Sequence, residues 1–190
     1  MRIATESRSF NNDVHCGDQC DWWLEDGTLT MCMIDGLGHG KHAEEAAKEA
    51  LDYVSLHLDE SLDKLFSGCD KAIKHTRGVA MSIARIYQDD VTLEYGGIGN
   101  TRTMLYGEKS SHLTSSWGIV GGGYRHLYVE KVDISSYGLL VMWTDGIPEH
   151  IKLSSYGMYL LQDEQQLAKA ILGDYGRMTD DATILVCTMK

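Results

Sequence analysis

The chain is poor in what would break it into parts. It has one proline, Pro148, in 190 residues. It shows no internal repeat, low-complexity stretch or proline-rich linker, so it reads as a single domain over 1–190, long enough for a sizeable core. No apolar run reaches the roughly 20 residues of a membrane span. The first residues, Met1-Arg2-Ile3, open no apolar signal region. Basic residues are scarce: 17 Lys and Arg stand against 28 Asp and Glu, a formal charge of −11. That balance argues against nucleic acid, whose binding depends on neutralising phosphates. The five cysteines are an odd number, scattered, with Cys32 and Cys187 inside apolar runs. They suit a reducing compartment, and the expectation is a cytoplasmic chain. Cys16 and Cys20 have no second pair at zinc-site spacing, so two reduced thiols in a loop are expected. Apolar content of 43% and charged content of 24% are ordinary for a globular protein.

What is present is a pattern of carboxylates at the ends of apolar runs. Met31-Cys32-Met33-Ile34 leads into Asp35-Gly36, Val141-Met142-Trp143-Thr144 into Asp145-Gly146, and Asp180-Asp181 opens the run from Ala182 to Val186. An Asp before Gly is also a common turn former. Three rigidly held carboxylates brought together would repel one another unless cations lay between them. An all-oxygen set suits Mg²⁺ or Mn²⁺ over Zn²⁺.

Periodicity predicts strands over 1–9, 28–34, 79–87, 91–98, 101–106, 127–134, 139–143 and 182–189. Trp22 and Trp23, neighbours in a strand, point to opposite faces, so one is exposed. Helical spacing begins at Lys41, with Ala43, Ala46, Ala47, Ala50, Leu51, Val54 and Leu58 on one face. Further helices are predicted over 62–74 and 163–175. Gly99-Asn100 reads as a tight hairpin turn that Arg102 braces, and Asp89-Asp90 as another. Strands that follow one another through hairpins predict antiparallel sheets with helices packed outside. The glycines at 36, 38 and 40 do not form a nucleotide P-loop, and Gly97-Ile98-Gly99 lacks the third glycine of a dinucleotide fingerprint. The glycine run 121–123 after Trp117 is expected to form a turn, with contact to a substrate as the other reading.

Four motifs occur in order: Gly17-Asp18; Asp35-Gly36-Leu37-Gly38-His39-Gly40; Gly99-Asn100 followed by Arg102; and Thr144-Asp145-Gly146 paired with Asp180-Asp181-Ala182-Thr183. Together with Arg77-Gly78-Val79-Ala80 they resemble the metal-dependent, phosphatase 2C-like serine/threonine phosphatases, in the bacterial SpoIIE-type branch. The resemblance implies an α+β fold, a four-layer αββα sandwich of two antiparallel sheets flanked by helices. It implies two Mn²⁺ or Mg²⁺ ions, with Asp35 bridging both, the Gly36 carbonyl on one, Asp145 and Asp180 on the other, and Asp18 in contact directly or through water. Catalytic roles fall on Asp35, Asp145 and Asp180. Water readied by the two ions would attack phosphorus, so no nucleophilic side chain is needed.

The pattern departs from the family at Leu37, where larger members carry a histidine; His39 is the substitute candidate. Relatives also use an arginine near the first strand to hold the substrate phosphate; Arg8 is the candidate here, and solvation at the surface is its expected fate. No aspartate near Met81 supports a third ion. The resemblance, with the chain expected to be the catalytic domain alone, implies removal of phosphate from serine or threonine on STAS-domain proteins of the stressosome; a monomer is expected, with neither nucleic acid nor membrane as partner. The rival readings are an inactive phosphatase-like binding module and a small-molecule phosphoesterase.

Overall fold

The computed structural model describes residues 1–88 and 91–189. The proposed turn at Asp89-Asp90 lies outside the described residues. The chain begins with β1 (Arg2–Arg8), β2 (Asp18–Glu25) and β3 (Thr28–Gly36), followed by α1 (Lys41–Ser55) and α2 (Leu62–Ala72). Next come β4 (Val79–Tyr87), β5 (Thr92–Ile98), β6 (Arg102–Gly107) and β7 (Ser110–Leu113). The short pair β8 (Gly118–Ile119) and β9 (Gly123–Tyr124) leads to β10 (Val129–Asp133) and β11 (Tyr137–Trp143). The chain closes with α3 (Met158–Leu161), α4 (Glu164–Tyr175) and β12 (Ala182–Thr188).

Two five-stranded sheets form, one in the order β1-β12-β11-β6-β7 and the other β10-β5-β4-β3-β2. Neighbours within each sheet pair antiparallel. Side-chain alternation then builds three apolar layers. In β3, Met31 and Met33 enter the core between the sheets, while Cys32 and Ile34 face α1 and α2. In β12, Leu185 and Cys187 enter the same central core, while Ile184 and Val186 face α4. The result is the expected αββα sandwich. Central strands covered on both faces show continuous apolar runs, and two of these, β3 and β11, lead into Asp35-Gly36 and Asp145-Gly146.

The alanine face of α1 lets this helix sit against β3. A Cβ on Gly36 would lie 2.2 Å from the Ala43 carbonyl oxygen, so no other residue fits there. The helix ends at Ser55, so Leu58 joins the same core from the loop beyond it. Trp23 packs on that core and Trp22 is exposed. Two further differences matter for the site. Residues 18–25 form a full strand, β2, of which the sequence pattern marks only the Trp22-Trp23 pair as strand-like. Asp35 lies inside β3, paired with Asp18 on one side and Ala80 on the other.

The Gly99-Asn100 hairpin is corrected. β5 and β6 belong to different sheets, so this pair carries the chain across the sandwich. A Gly-Asn pair supplies the same backbone freedom to a crossing as to a hairpin, and local sequence does not distinguish them. Gly99 has φ of +97°, and a Cβ there would meet the Ala80 Cβ at 2.5 Å. Arg102 braces the crossing by donating to the Asn100 carbonyl at 2.9 Å. Gly99→Ala is expected to cost more than about 1 kcal/mol in urea unfolding, through both positive φ and overlap. Gly27→Ala, at φ +77° with open space around it, should cost less; equal losses would contradict the close approach at the crossing.

Candidate functional site

The four expected carboxylates come from four segments and meet at one end of the sandwich. Asp18 on β2 and Asp35 on β3 are direct cross-strand partners. Asp145 follows β11, and Asp180 precedes β12, its partner strand in the other sheet. The two sheets thus contribute two carboxylates each. Burial, then the charges of Asp18, Asp145 and Asp180, push the Asp35 carboxyl up to about 9. Burial is also the first cause for Asp18, pushed up to about 7. Asp180 is raised by burial and then by Asp145. Asp35 thus feels the other three as negative charge at short range, which is the expected signature of a shared pocket.

Neighbours hold these side chains in place. Thr144 donates its hydroxyl to Asp18 Oδ2 at 2.7 Å and accepts the Thr183 N–H at 2.9 Å. The Thr144 N–H in turn donates to the Thr183 carbonyl at 3.1 Å. One threonine on each side of the β11–β12 pair therefore ties the second sheet to the carboxylate of the first. Asn100 donates its amide to Asp145 Oδ2 at 2.5 Å. The residue read as half of a hairpin turn is a positioning residue. Asp181, next to Asp180, faces the other way: it is 3% exposed and accepts from the Phe10 N–H at 2.8 Å and the Gly17 N–H at 2.9 Å. It pins the loop before β2, while Asp180 faces the pocket.

The donor set suits a hard divalent cation. Among the described residues, none of the four carboxylates makes an ion pair with Lys, Arg or His. Asp18 Oδ1 is buried and has no hydrogen-bond partner. No three His, Cys, Asp or Glu side chains among the described residues form a ready cage for one ion. Magnesium-like ions take only one or two carboxylates each and fill the remaining positions with carbonyl oxygen and water. Asp18, Asp35, Asp145, Asp180 and the Gly36 carbonyl could supply that. The cysteines do not compete as ligands: Cys16 and Cys20 are free, and burial first, with Asp18 adding to it, pushes both thiols up to about 12.

His39 stacks on Phe10 with centroids 4.4 Å apart, close enough to Asp180 to lower its carboxyl slightly. Leu37 is exposed at the position of the family histidine. Arg8 is not simply solvated; its guanidinium donates to the Gly176 carbonyl and is occupied there. Thr144, Thr183 and Asn100 went without a role in the sequence reading. Their signal was their place inside the four motifs.

These shifts set a pH dependence for the metal-free protein. Asp18 and Asp35 bind protons more tightly folded than unfolded, so their burden is absent below about pH 4 and grows as pH rises towards about 9. In chelator, Asp35→Asn is expected to be more stable than the parent, with an advantage that widens across that range. Added Mg²⁺ or Mn²⁺ should stabilise the parent and shrink the difference. Denaturant melts at several pH values check this; a difference that does not vary with pH would show that Asp35 is not in a repulsive cluster.

No family model matches the chain. Phosphoserine phosphatase RsbX of Bacillus subtilis (strain 168) is 27% identical over 135 residues, covering 70% of this chain and 67% of that protein. A chain from a structure described as the bacterial stressosome, a modular system adapted to control secondary messenger signaling, superposes with a TM-score of 0.86 at 25% identity, over 97% of each chain. A crystal structure of RsbX in complex with magnesium gives 0.81 at 22% identity, over 97% of this chain and 92% of that one. The PP2C phosphatase domain of SpoIIE from Bacillus subtilis gives 0.73 at 17% identity, over the whole of this chain and 64% of the other. In fold the chain matches the phosphatase 2C-like structures of RsbX and SpoIIE, and in sequence it is similar to the phosphoserine phosphatase RsbX.

Proposed function

We propose that this chain is a divalent-metal-dependent protein phosphatase of the RsbX type. Its substrates would be phosphoserine or phosphothreonine on STAS-domain proteins of a stressosome, and its action would reset a stress signal. One observation supports this above others: four carboxylates from four segments meet at one end of the sandwich, and among the described residues none of them is ion-paired with Lys, Arg or His. In this reading Asp35, the Gly36 carbonyl, Asp145, Asp180 and Asp18 would together hold two Mn²⁺ or Mg²⁺ ions. When bound, such ions supply a nucleophile from water at neutral pH and offset charge on the phosphoryl oxygens.

The chain's own residues do the positioning. Asn100 fixes the Asp145 carboxylate through its amide, and Thr144 fixes Asp18. Leu37 has no proton to give, so His39, beside Asp180, is the candidate donor to the leaving serine oxygen. The likeness to RsbX supports the phosphoserine substrate, and the stressosome match supports that setting. No helix among the described residues is long and apolar enough to cross a membrane; a cytoplasmic monomer, built as one catalytic domain, completes the proposal. An inactive binding module would be expected to have lost a carboxylate, and all four are present.

Phosphate release from a phosphoserine STAS protein should stop in excess chelator and return with Mn²⁺. Asp145→Asn should lose more than roughly a hundredfold in turnover, and Asn100→Ala roughly ten- to a hundredfold, as an outer partner does. Turnover that persists in chelator, or a fully active Asp145→Asn, would refute the assignment. Faster hydrolysis of small phosphate esters than of the phosphoprotein would favour the small-molecule reading.

A further inference from the structure

A cleft of about 650 Å³ opens beside the carboxylate pocket. Its lining includes Ala80, the strand partner of Asp35, and Asn100, the donor to Asp145, so the cleft adjoins the carboxylates. Its size is that of a ligand pocket and far exceeds a phosphoseryl group. Arg102, His112 and His150 line it, against one acid, Glu149, which lies 3.9 Å from Arg102. Trp117 stands on the opposite rim, 96% exposed. Across Trp117 a second, shallower depression holds Arg125 and His126.

Besides Glu149, two nearby acids are held by backbone amides, which fix their side chains in place. Asp70 accepts the Gly121 N–H at 2.7 Å, and Glu130 accepts the Thr114 N–H at 3.0 Å. With histidine counted as neutral, Arg102 and Arg125 against Glu149 leave these two linings an excess of one positive charge on a chain whose formal charge is −11. Such a local reversal of sign steers an oppositely charged partner and fixes its register. An exposed tryptophan beside it is the side-chain type that anchors interfaces.

We propose that the cleft and the depression form one docking track for an acidic polypeptide segment flanking the phosphoserine, with Trp117 as its anchor and Arg102 and Arg125 as its charge readers. This rests on the phosphatase reading and narrows its substrate to acidic protein segments.

The test uses the full chain with Mn²⁺ and three probes: p-nitrophenyl phosphate and two phosphoserine peptides of equal length, one with Asp and Glu flanks, one with Lys flanks. The acidic peptide should have roughly tenfold higher kcat/KM at low ionic strength, and the ratio should narrow as salt rises. Arg125→Glu should bring the ratio towards one or below, with Arg125→Gln as the milder change if the first misfolds. Trp117→Ala should raise KM for both peptides. Equal kcat/KM for the peptides, or a preference for the basic one, while p-nitrophenyl phosphate is hydrolysed, overturns the track and leaves the phosphatase reading intact. A loss at Trp117→Ala with no charge preference also overturns it, in favour of apolar docking. No turnover of any probe removes the phosphatase reading and the track with it.

Discussion

Repulsion among Asp18, Asp35, Asp145 and Asp180 is the constraint around which the rest of the structure is arranged. Burying one carboxylate away from a partner already costs several kcal/mol unless it is neutralised. Here the two sheets each bring two to the same end of the sandwich. The raised carboxyls of Asp35 and Asp18 express that cost within the protein. A fold bearing such a load needs stiffness around it. The three apolar layers, with Met31, Trp143 and Leu185 fully buried, provide it.

The polar supports serve the same end. Thr144 and Thr183 join β11 to β12 and reach across to Asp18 in the other sheet. Asn100, on the crossing from β5 to β6, reaches Asp145. Asp181 spends both oxygens on the loop that leads into β2, and so sets where Asp18 begins its strand. Thr144, Thr183 and Asp181 lie within motifs that contain a site acid, while Asn100 lies in the one motif that contains none. The acids and their supports are therefore short in sequence separation within a motif and long between motifs. That is how a rigid site is built from strand ends, with strained or exposed positions confined to the loops.

Much of this was legible along the chain. Apolar runs ending in Asp-Gly marked the strand ends, and the alanine spacing after Lys41 marked a helix seated closely on a sheet. The αββα layering came through likeness to the phosphatase family, since strand count alone does not assign strands to sheets. What misled was local ambiguity. Gly99-Asn100 has the chemistry of a hairpin turn, and the chain uses it to change sheets. Residues 18–25 alternate weakly because β2 is an edge strand with one face partly in solvent, so its pattern of burial is diluted.

The sequence by itself determined the kinds of element, the residues at their ends and the all-oxygen character of the candidate ligands, because these follow from short-range periodicity and side-chain chemistry. Only the tertiary structure decided which acids face one another. Asp180 and Asp181 are neighbours of identical chemistry, yet one enters the pocket and the other binds the Phe10 and Gly17 amides. That choice depends on which backbone donors the fold brings close, and those lie more than 160 residues away along the chain.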